Sequence, residues 1–137
     1  MPKQSPIPDA VDKPFWDACN EERLVLQYCG ACDLFQHPPK PACPQCGADD
    51  HVSWREIEGL GTIHSYAVVY DTAIAVLQPD LPFNCAMIEL DAAPGLFMIS
   101  HLPGTPVDEV PIGAKVRLTF EVTPGTGQKV PEWQVAG

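Results

Sequence analysis

The chain has 137 residues, room for one ordinary domain or for a small core carrying a stapled module, which argues against a multidomain enzyme. Hydrophobic residues at 45% against 19% charged ones exclude wholesale disorder, and 16 prolines, more than twice the usual share of about 5%, speak against an all-helical bundle because proline lacks the amide a helix interior needs. Eighteen acidic against eight basic side chains, a formal charge of -10, disfavour a nucleic-acid partner, whose phosphates a binder must neutralise.

The first dozen residues, with Pro2, Pro6 and Pro8, read as an extended arm. No apolar run reaches the roughly 20 residues of a membrane span, and this start lacks the charged and hydrophobic segments of a secretory signal, so the expected compartment is the cytoplasm. Lys13 to Glu22 is the one convincing helix, with Asp12 placed to cap it, Pro14 in its first turn, and Phe15, Cys19 and Trp16 on its apolar side. Such a face packs against its own chain or docks on a partner, because a short helix on a small ribbon has little core to bury against. Leu24 to Tyr28 follows as a strand.

Cys29 and Cys32 form one C-x-x-C pair and Cys43 and Cys46 another, with only Asp33 to Ala42 between them. Reducing cytoplasm favours reading them as metal ligands over disulfides. Each two-residue gap makes a knuckle that points both sulfurs at one ion, and two knuckles close a tetrahedral site. Gly30 and Gly47 stand beside the knuckles, where backbone amides could turn toward the sulfurs. The expected ligand set is Cys29, Cys32, Cys43 and Cys46, holding a structural zinc. Iron shares this ligand set, and Cys43-Pro44-Gln45-Cys46-Gly47 resembles a rubredoxin knuckle, but no redox partner is evident in the sequence. A fully ligated ion has no open position for catalysis. Cys19 and Cys85 are left over and read as small buried hydrophobes, the alternative being an activated thiol.

Beyond the ribbon the pattern turns to period two, the mark of half-buried strands. Five strands are expected: Ser53 to Tyr70, broken at Gly59-Leu60-Gly61; Asn84 to Leu90; Leu96 to Leu102, joined to the second by the hairpin connection Asp91 to Gly95; Val116 to Thr123; and Glu132 to Val135. In the fourth, Val116, Leu118, Phe120 and Val122 should face inward. Five strands with a coiled first one predict an OB-type barrel, with Pro103 to Gly113 in place of the usual helix between strands three and four. The expected organisation is an arm at 1–12, helix and ribbon at 13–52, and an OB-fold domain at 53–137. The fold class is therefore mainly β: one N-terminal helix, a four-cysteine zinc ribbon and a five-stranded barrel.

This ordered set resembles the DUF35 family of rubredoxin-like zinc ribbons with an OB fold. The resemblance is carried by Pro14-Phe15-Trp16, the four cysteines, Pro38-Pro39, Gly59-Leu60-Gly61-Thr62 with Ser65-Tyr66, Pro82-Phe83 before Glu89-Leu90-Asp91, and Ile112-Gly113 before Val116. Lys40 departs from the arginine that often follows the two prolines, which keeps a cation but not a bidentate one. Family members are typically accessory subunits of thiolase-superfamily enzymes, among them thiolases, hydroxymethylglutaryl-CoA synthase assemblies and side-chain-cleaving aldolases of steroid breakdown. The resemblance implies a non-catalytic subunit that aids assembly and helps hold acyl-CoA, a thiolase-like partner that supplies the nucleophilic cysteine, and a heterotetramer with two copies of each chain.

The residues agree that no self-contained catalytic constellation is present: there is no G-x-S-x-G, no phosphate-binding glycine loop and no H-E-x-x-H. His37, His51, His64 and His101 are scattered, with His64 and His101 placed on strands that could reach a shared cleft. The segment Thr72 to Leu77 is apolar where a loop is normally polar, so it either folds into the barrel or is covered by the partner or the acyl chain. An acidic chain is a poor host for the phosphates of CoA. Contacts to CoA phosphates are therefore expected from a few local cations, Lys40 or Arg55, or from the partner, with Val76 in an apolar wall; the alternative for Lys40 and Arg55 is a solvated surface charge. Two other readings are a stand-alone nucleic-acid module, for which a basic groove is missing, and a rubredoxin-like electron carrier, which would bind iron.

Overall fold

The computed structural model describes residues 4–136; residues 1–3, Pro2 of the expected arm among them, and Gly137 lie outside it. In chain order it contains α1 (Lys13–Asn20), β1 (Val25–Cys29), β2 (Leu34–Gln36), β3 (Val52–Glu56), β4 (Leu60–Val69), a 3-10 turn (Ala75–Asp80), β5 (Phe83–Leu90), β6 (Phe97–Ser100), β7 (Lys115–Val122) and β8 (Lys129–Val135). No helix among the described residues is long and apolar enough to cross a membrane.

The helix ends two residues before its expected limit because Glu22 adopts φ 56 and the amides of Glu21 and Arg23 turn back to the Ala18 carbonyl. Asp12 occupies the N-cap position, yet its carboxylate caps nothing there: Oδ1 accepts from the Asp9 amide at 2.7 Å. The helix is packed on its own chain. Phe15, Ala18 and Cys19 are buried, and the Gln128 side chain donates to the Trp16 carbonyl at 2.9 Å while Asn20 Oδ1 accepts from the Lys129 amide at 3.0 Å. The arm follows the same direction, with Ser5 Oγ 2.7 Å from Thr123 Oγ1.

Two sheets follow. The first has the order β2-β1-β3 and the second β6-β5-β4-β7-β8. The expected first barrel strand is thus two strands in different sheets: β3 pairs with β1 in the ribbon, Val25 opposite Glu56, and only β4 belongs to the barrel. Gly59 and Gly61 mark this transfer through close approach. A Cβ on Gly59 would lie 2.4 Å from Leu118 Cβ, and one on Gly61 2.5 Å from Ile88 Cγ2 and 2.9 Å from the Glu89 carbonyl, so only hydrogen lets β4 press against both β5 and β7. In β4 the register shifts between Ile63 and Ser65, leaving His64 on the bulge.

Alternation in β5 is complete, with Asn84, Ala86, Ile88 and Leu90 inward. In β7 it slips at the end. Val122 is 64% exposed, whereas Thr123 is 1% exposed, because Thr123 Oγ1 donates to the Gln128 carbonyl at 2.7 Å and turns the strand over. The expected β6 is shortened to Ser100, since Leu102 takes φ 55. Residues 101–114 contain turns and no helix, as expected.

Closure between β6 and β8 runs through side chains. Ser100 Oγ donates to Glu132 Oε2 at 2.8 Å and accepts from the amides of Trp133 at 2.9 Å and Leu102 at 3.1 Å, while the His101 amide reaches Glu132 Oε2 at 3.2 Å. One core runs through ribbon and barrel: Phe15, Cys19, Leu24 and Leu26 pack in a single cluster with Ile63, Ile88, Leu90 and Trp133. Fully burying one such large side chain is worth about 1.5–3 kcal/mol, so helix, β1 and barrel stabilise one another.

Candidate functional site

The four cysteines expected to bind metal converge. Their sulfurs all lie within 4.8 Å of one another, with Cys29 Sγ 3.7 Å from Cys46 Sγ and Cys32 Sγ 3.9 Å from Cys43 Sγ. A tetrahedron with metal–sulfur bonds of about 2.3 Å has edges of about 3.8 Å, so the spacing is that of a zinc tetrathiolate. β1 delivers Cys29 at its end, and the β1–β2 turn returns Cys32 beside it.

At the second knuckle the amides that face the sulfurs are those of Gln45, Cys46 and Ala48, around Gly47, while the glycine amides themselves bond to carbonyls. Gly30 donates to the His51 carbonyl and Gly47 to the Cys43 carbonyl, both at 2.8 Å. The backbone N–H groups of Cys46 and Gln45 point at Cys43 and pull its thiol down to about 6, so that ligand is a thiolate at neutral pH. All four positions of the tetrahedron are filled by protein sulfur. The site can brace the loops between β1 and β3 but offers no open coordination position for substrate.

Cys19 and Cys85 stand apart from this cluster. Cys19 is fully buried, and burial pushes its thiol up to about 12, as for an inert packing cysteine. Cys85 is half-buried on β5, opposite Ala67. His64 is exposed, with its ring edge-on to Phe97, 5.2 Å between centroids. His101 is half-buried, and its Nε2 engages the Glu121 carboxylate. His64 lies within β4, level with Met98 and Ile99 of β6, and His101 follows the last residue of β6, so the two histidines stand on strands that β5 separates.

Lys40 is exposed, and its backbone N–H and C=O are clasped by the Gln27 side chain at 2.8 and 2.7 Å. Arg55 lies over the Tyr28 ring, 3.6 Å from its centroid. Gln27 and Tyr28 are successive residues of β1 and point to opposite faces, so the two cations are held on different sides of the ribbon sheet. The Thr72–Leu77 segment does not fold into the barrel. Ile74 is 53% and Val76 51% exposed, while the loop is held by its own bonds, from the Ile74 amide to Thr72 Oγ1 and from the Gln78 side chain to the Thr72 carbonyl.

A groove of about 540 Å³ opens where helix, inter-knuckle loop and barrel meet, walled by Phe15, Trp16, His37, Pro39, Met98 and Val130. His37 Nδ1 is buried there without a partner, and burial lowers the pKa of the ring, which keeps it neutral. Phe15 and Trp16 stood out in the sequence as an apolar helix face. Their meeting with Met98 and Val130 did not, because it joins residues more than 80 positions apart.

Comparison with known proteins matches the two halves separately. Residues 16–52 fit the ChsH2 rubredoxin-like zinc ribbon domain, and residues 54–121 fit the ChsH2 C-terminal OB-fold domain. A curated protein of Thermomonospora curvata, named probable enoyl-CoA hydratase alpha subunit, is 36% identical over 112 residues, which covers 80% of this chain and 33% of that protein. The chain thus spans about a third of that relative's length. Among solved structures, one titled Ltp2-ChsH2(DUF35) aldolase superposes with a TM-score of 0.82 at 27% identity, covering 97% of this chain and 100% of that one. A DUF35 protein of unknown function from Sulfolobus solfataricus shares the fold, with a TM-score of 0.61 at 16% identity over 90% of this chain and 84% of that one. With both halves matched in order and the four-sulfur cluster in place, the chain belongs to the DUF35 family of zinc-ribbon and OB-fold proteins.

Proposed function

We propose that this protein is a non-catalytic accessory subunit of an acyl-CoA-processing enzyme, with a partner of the thiolase superfamily that forms or cleaves a C–C bond. The observation that carries this reading is the match over 97% of the chain to the DUF35 chain of a structure titled as an aldolase assembly. The chemistry of the chain supports it. Its metal is enclosed by four sulfurs, its buried cysteine is held protonated, and His64, within β4, and His101, just after β6, stand on strands separated by β5. The reactive cysteine then comes from the partner, and the assembly contains two copies of each chain.

The chain's contribution is to surface and shape. The exposed Ile74 and Val76 form an apolar face that the partner covers, and the groove between helix and barrel offers apolar walls to the acyl or pantetheine arm. Lys40 and Arg55, the exposed cations of the ribbon, serve as local partners for CoA phosphates. Since they lie on different faces and the chain carries a charge of -10, the partner provides the rest of the phosphate site.

Val76→Asp places a charge at the centre of the covered face, where an unpaired buried carboxylate is costly. The substitution should abolish co-purification with the proposed partner enzyme, while the isolated subunit keeps its melting temperature because Val76 is half exposed. Retention of the complex at wild-type yield would remove this face from the interface.

A further inference from the structure

Backbone groups stand unused at the seam of the barrel. β6 and β8 are the two ends of the five-stranded order, and no ladder joins them. The Leu90 amide donates to the Leu96 carbonyl at 3.0 Å, which fixes the alternation that follows: Met98 and Ser100 bond to β5, while Phe97, Ile99 and His101 turn N–H and C=O toward the seam. The His101 amide is met there by Glu132 Oε2 at 3.2 Å. Among the described residues nothing meets those of Phe97 and Ile99. Across the seam the Trp133 amide donates to Ser100 Oγ, and Pro131, in the same row of β8, presents a carbonyl without an N–H. Ile99, which is 57% exposed, and Pro131 both line the groove of about 540 Å³ beside α1, so this stretch of edge is open to a ligand lying in the groove.

A smaller cavity, of about 220 Å³, continues the groove along β6. Leu96 lines the cavity as Met98 and Ile99 line the groove, and His37 and Pro38 stand in the walls of both. Charge changes sign along this track. Among the described residues the groove has Asp12 and Glu132 in its walls and no lysine or arginine, whereas the smaller cavity has Lys40 and no carboxylate. Lys40 is set there by the Gln27 side chain, which holds its backbone N–H and C=O. The track therefore suits a long, thin ligand that is anionic at Lys40, carries amides where it passes Ile99, and ends apolar beside Phe15 and Trp16. Water serves an open edge group well but has no use for apolar walls or for a charge that differs between the two ends. An extended peptide uses a strand edge but has no built-in anionic end. The pantetheine arm of a CoA thioester has all three features in the required order: phosphates, then two secondary amides on a linear chain, then the acyl group.

We propose that the open edge of β6 binds the pantetheine arm of an acyl-CoA as an added strand, with Ile99 bonding to its amides and Lys40 receiving its phosphate end, an inference that rests on the acyl-CoA reading above. Two measurements test it. In the first, the zinc-loaded, nitrogen-15-labelled full chain is titrated with pantetheine, and with analogues in which an ester oxygen replaces one or the other amide N–H, while backbone amides are followed by NMR. Pantetheine should give saturable shifts at millimolar concentrations at the amides of His37, Phe97 and Ile99, and at least one ester analogue should bind about 3–10-fold more weakly, as expected for one lost hydrogen bond. In the second, Lys40→Ala should raise the KM of the reconstituted complex for acyl-CoA at least about 3-fold and leave the KM for the same acyl group on pantetheine unchanged. Arg117→Ala, which removes an exposed cation of β7, should change neither.

Absence of saturable shifts at Phe97 and Ile99, or equal affinity for pantetheine and its ester analogues, would mean that the edge is served by water only and would overturn the proposal. So would a Lys40→Ala complex with an unchanged KM for acyl-CoA, or an Ile99 amide that the partner enzyme alone protects from hydrogen exchange, the sign of a protein strand on this edge. Should the wild-type mixture show no turnover, the subunit reading fails by itself, and the titration still decides whether the edge takes a pantetheine arm.

Discussion

Removing the metal should unfold this protein as a whole, leaving no intact barrel with a frayed end. Structural zinc contributes an apparent free energy of about 10–16 kcal/mol in ribbon-sized peptides, as large as the total stability of about 5–15 kcal/mol expected for a domain. The ribbon is not an appendage: Leu24 and Leu26 of β1 and Phe15 and Cys19 of α1 share a core with Ile88 and Trp133 of the barrel. Loosening the knuckles frees β1 and exposes the underside of the barrel to water. Cys29→Ser and Cys43→Ser should each bring zinc below one ion per chain and lower Tm by more than about 20 °C, and a strong chelator should reproduce this in the wild type. Cys85→Ser, outside the cluster, should retain a full zinc complement and melt within a few degrees of the parent. A chelated chain with an unchanged near-ultraviolet spectrum and melting curve would show that the cluster is dispensable. The same preparations separate zinc from iron, since an iron tetrathiolate is red and a zinc one colourless.

The second large effect is expected at Ser100, which has no part in any chemistry. Its hydroxyl donates to the buried Glu132 and accepts from the amides of Trp133 and Leu102, and it is the link through which β6 meets β8. Ser100→Ala leaves two buried N–H groups without an acceptor and weakens the support of a buried carboxylate. At about 1–3 kcal/mol for each unsatisfied group, the loss should be about 3–5 kcal/mol, a fall in Tm of about 10–20 °C for a chain of this size. Ser65→Ala removes a hydroxyl that meets the exposed His64 ring and should change stability by less than about 0.5 kcal/mol. A Ser100→Ala protein melting within about 2 °C of wild type would mean that the barrel closes by other means.

What the sequence revealed and what it hid follow from how far each feature reaches along the chain. The metal site was legible because two-residue spacings within 18 positions, Cys29 to Cys46, dictate local knuckles. The hairpin of β5 and β6 was legible for the same reason, through its Asp91 to Gly95 connection. Splitting Ser53 to Tyr70 between two sheets was not, since the glycines announce a change of course without saying that Val52–Glu56 would return to pair with β1. The inward turn of Thr123 was hidden because a hydroxyl at a strand end reads as surface until Gln128 and Ser5 are brought to it. Asn84 escaped notice on similar grounds. A lone amide before a run of apolar residues looks like a strand edge, and only the closed barrel shows it inside, unpaired, on the row of Ala86 and Ile88.

Burial and bonding thus divide the molecule into a braced frame and faces that ask for a neighbour. Ile74 and Val76 remain exposed although the loop that bears them is well held, so their exposure belongs to the folded chain, as the proposed docking face requires.

The most direct test is reconstitution of acyl-CoA turnover with three samples: the zinc-loaded chain, the proposed partner enzyme, and the two mixed. The account predicts no turnover of a thioester by the subunit alone and an activity of the mixture well above that of the enzyme by itself, lost with Val76→Asp. Turnover by the isolated subunit, or an enzyme equally active without it, would contradict the claim that this chain supports a reaction whose chemistry resides in its partner.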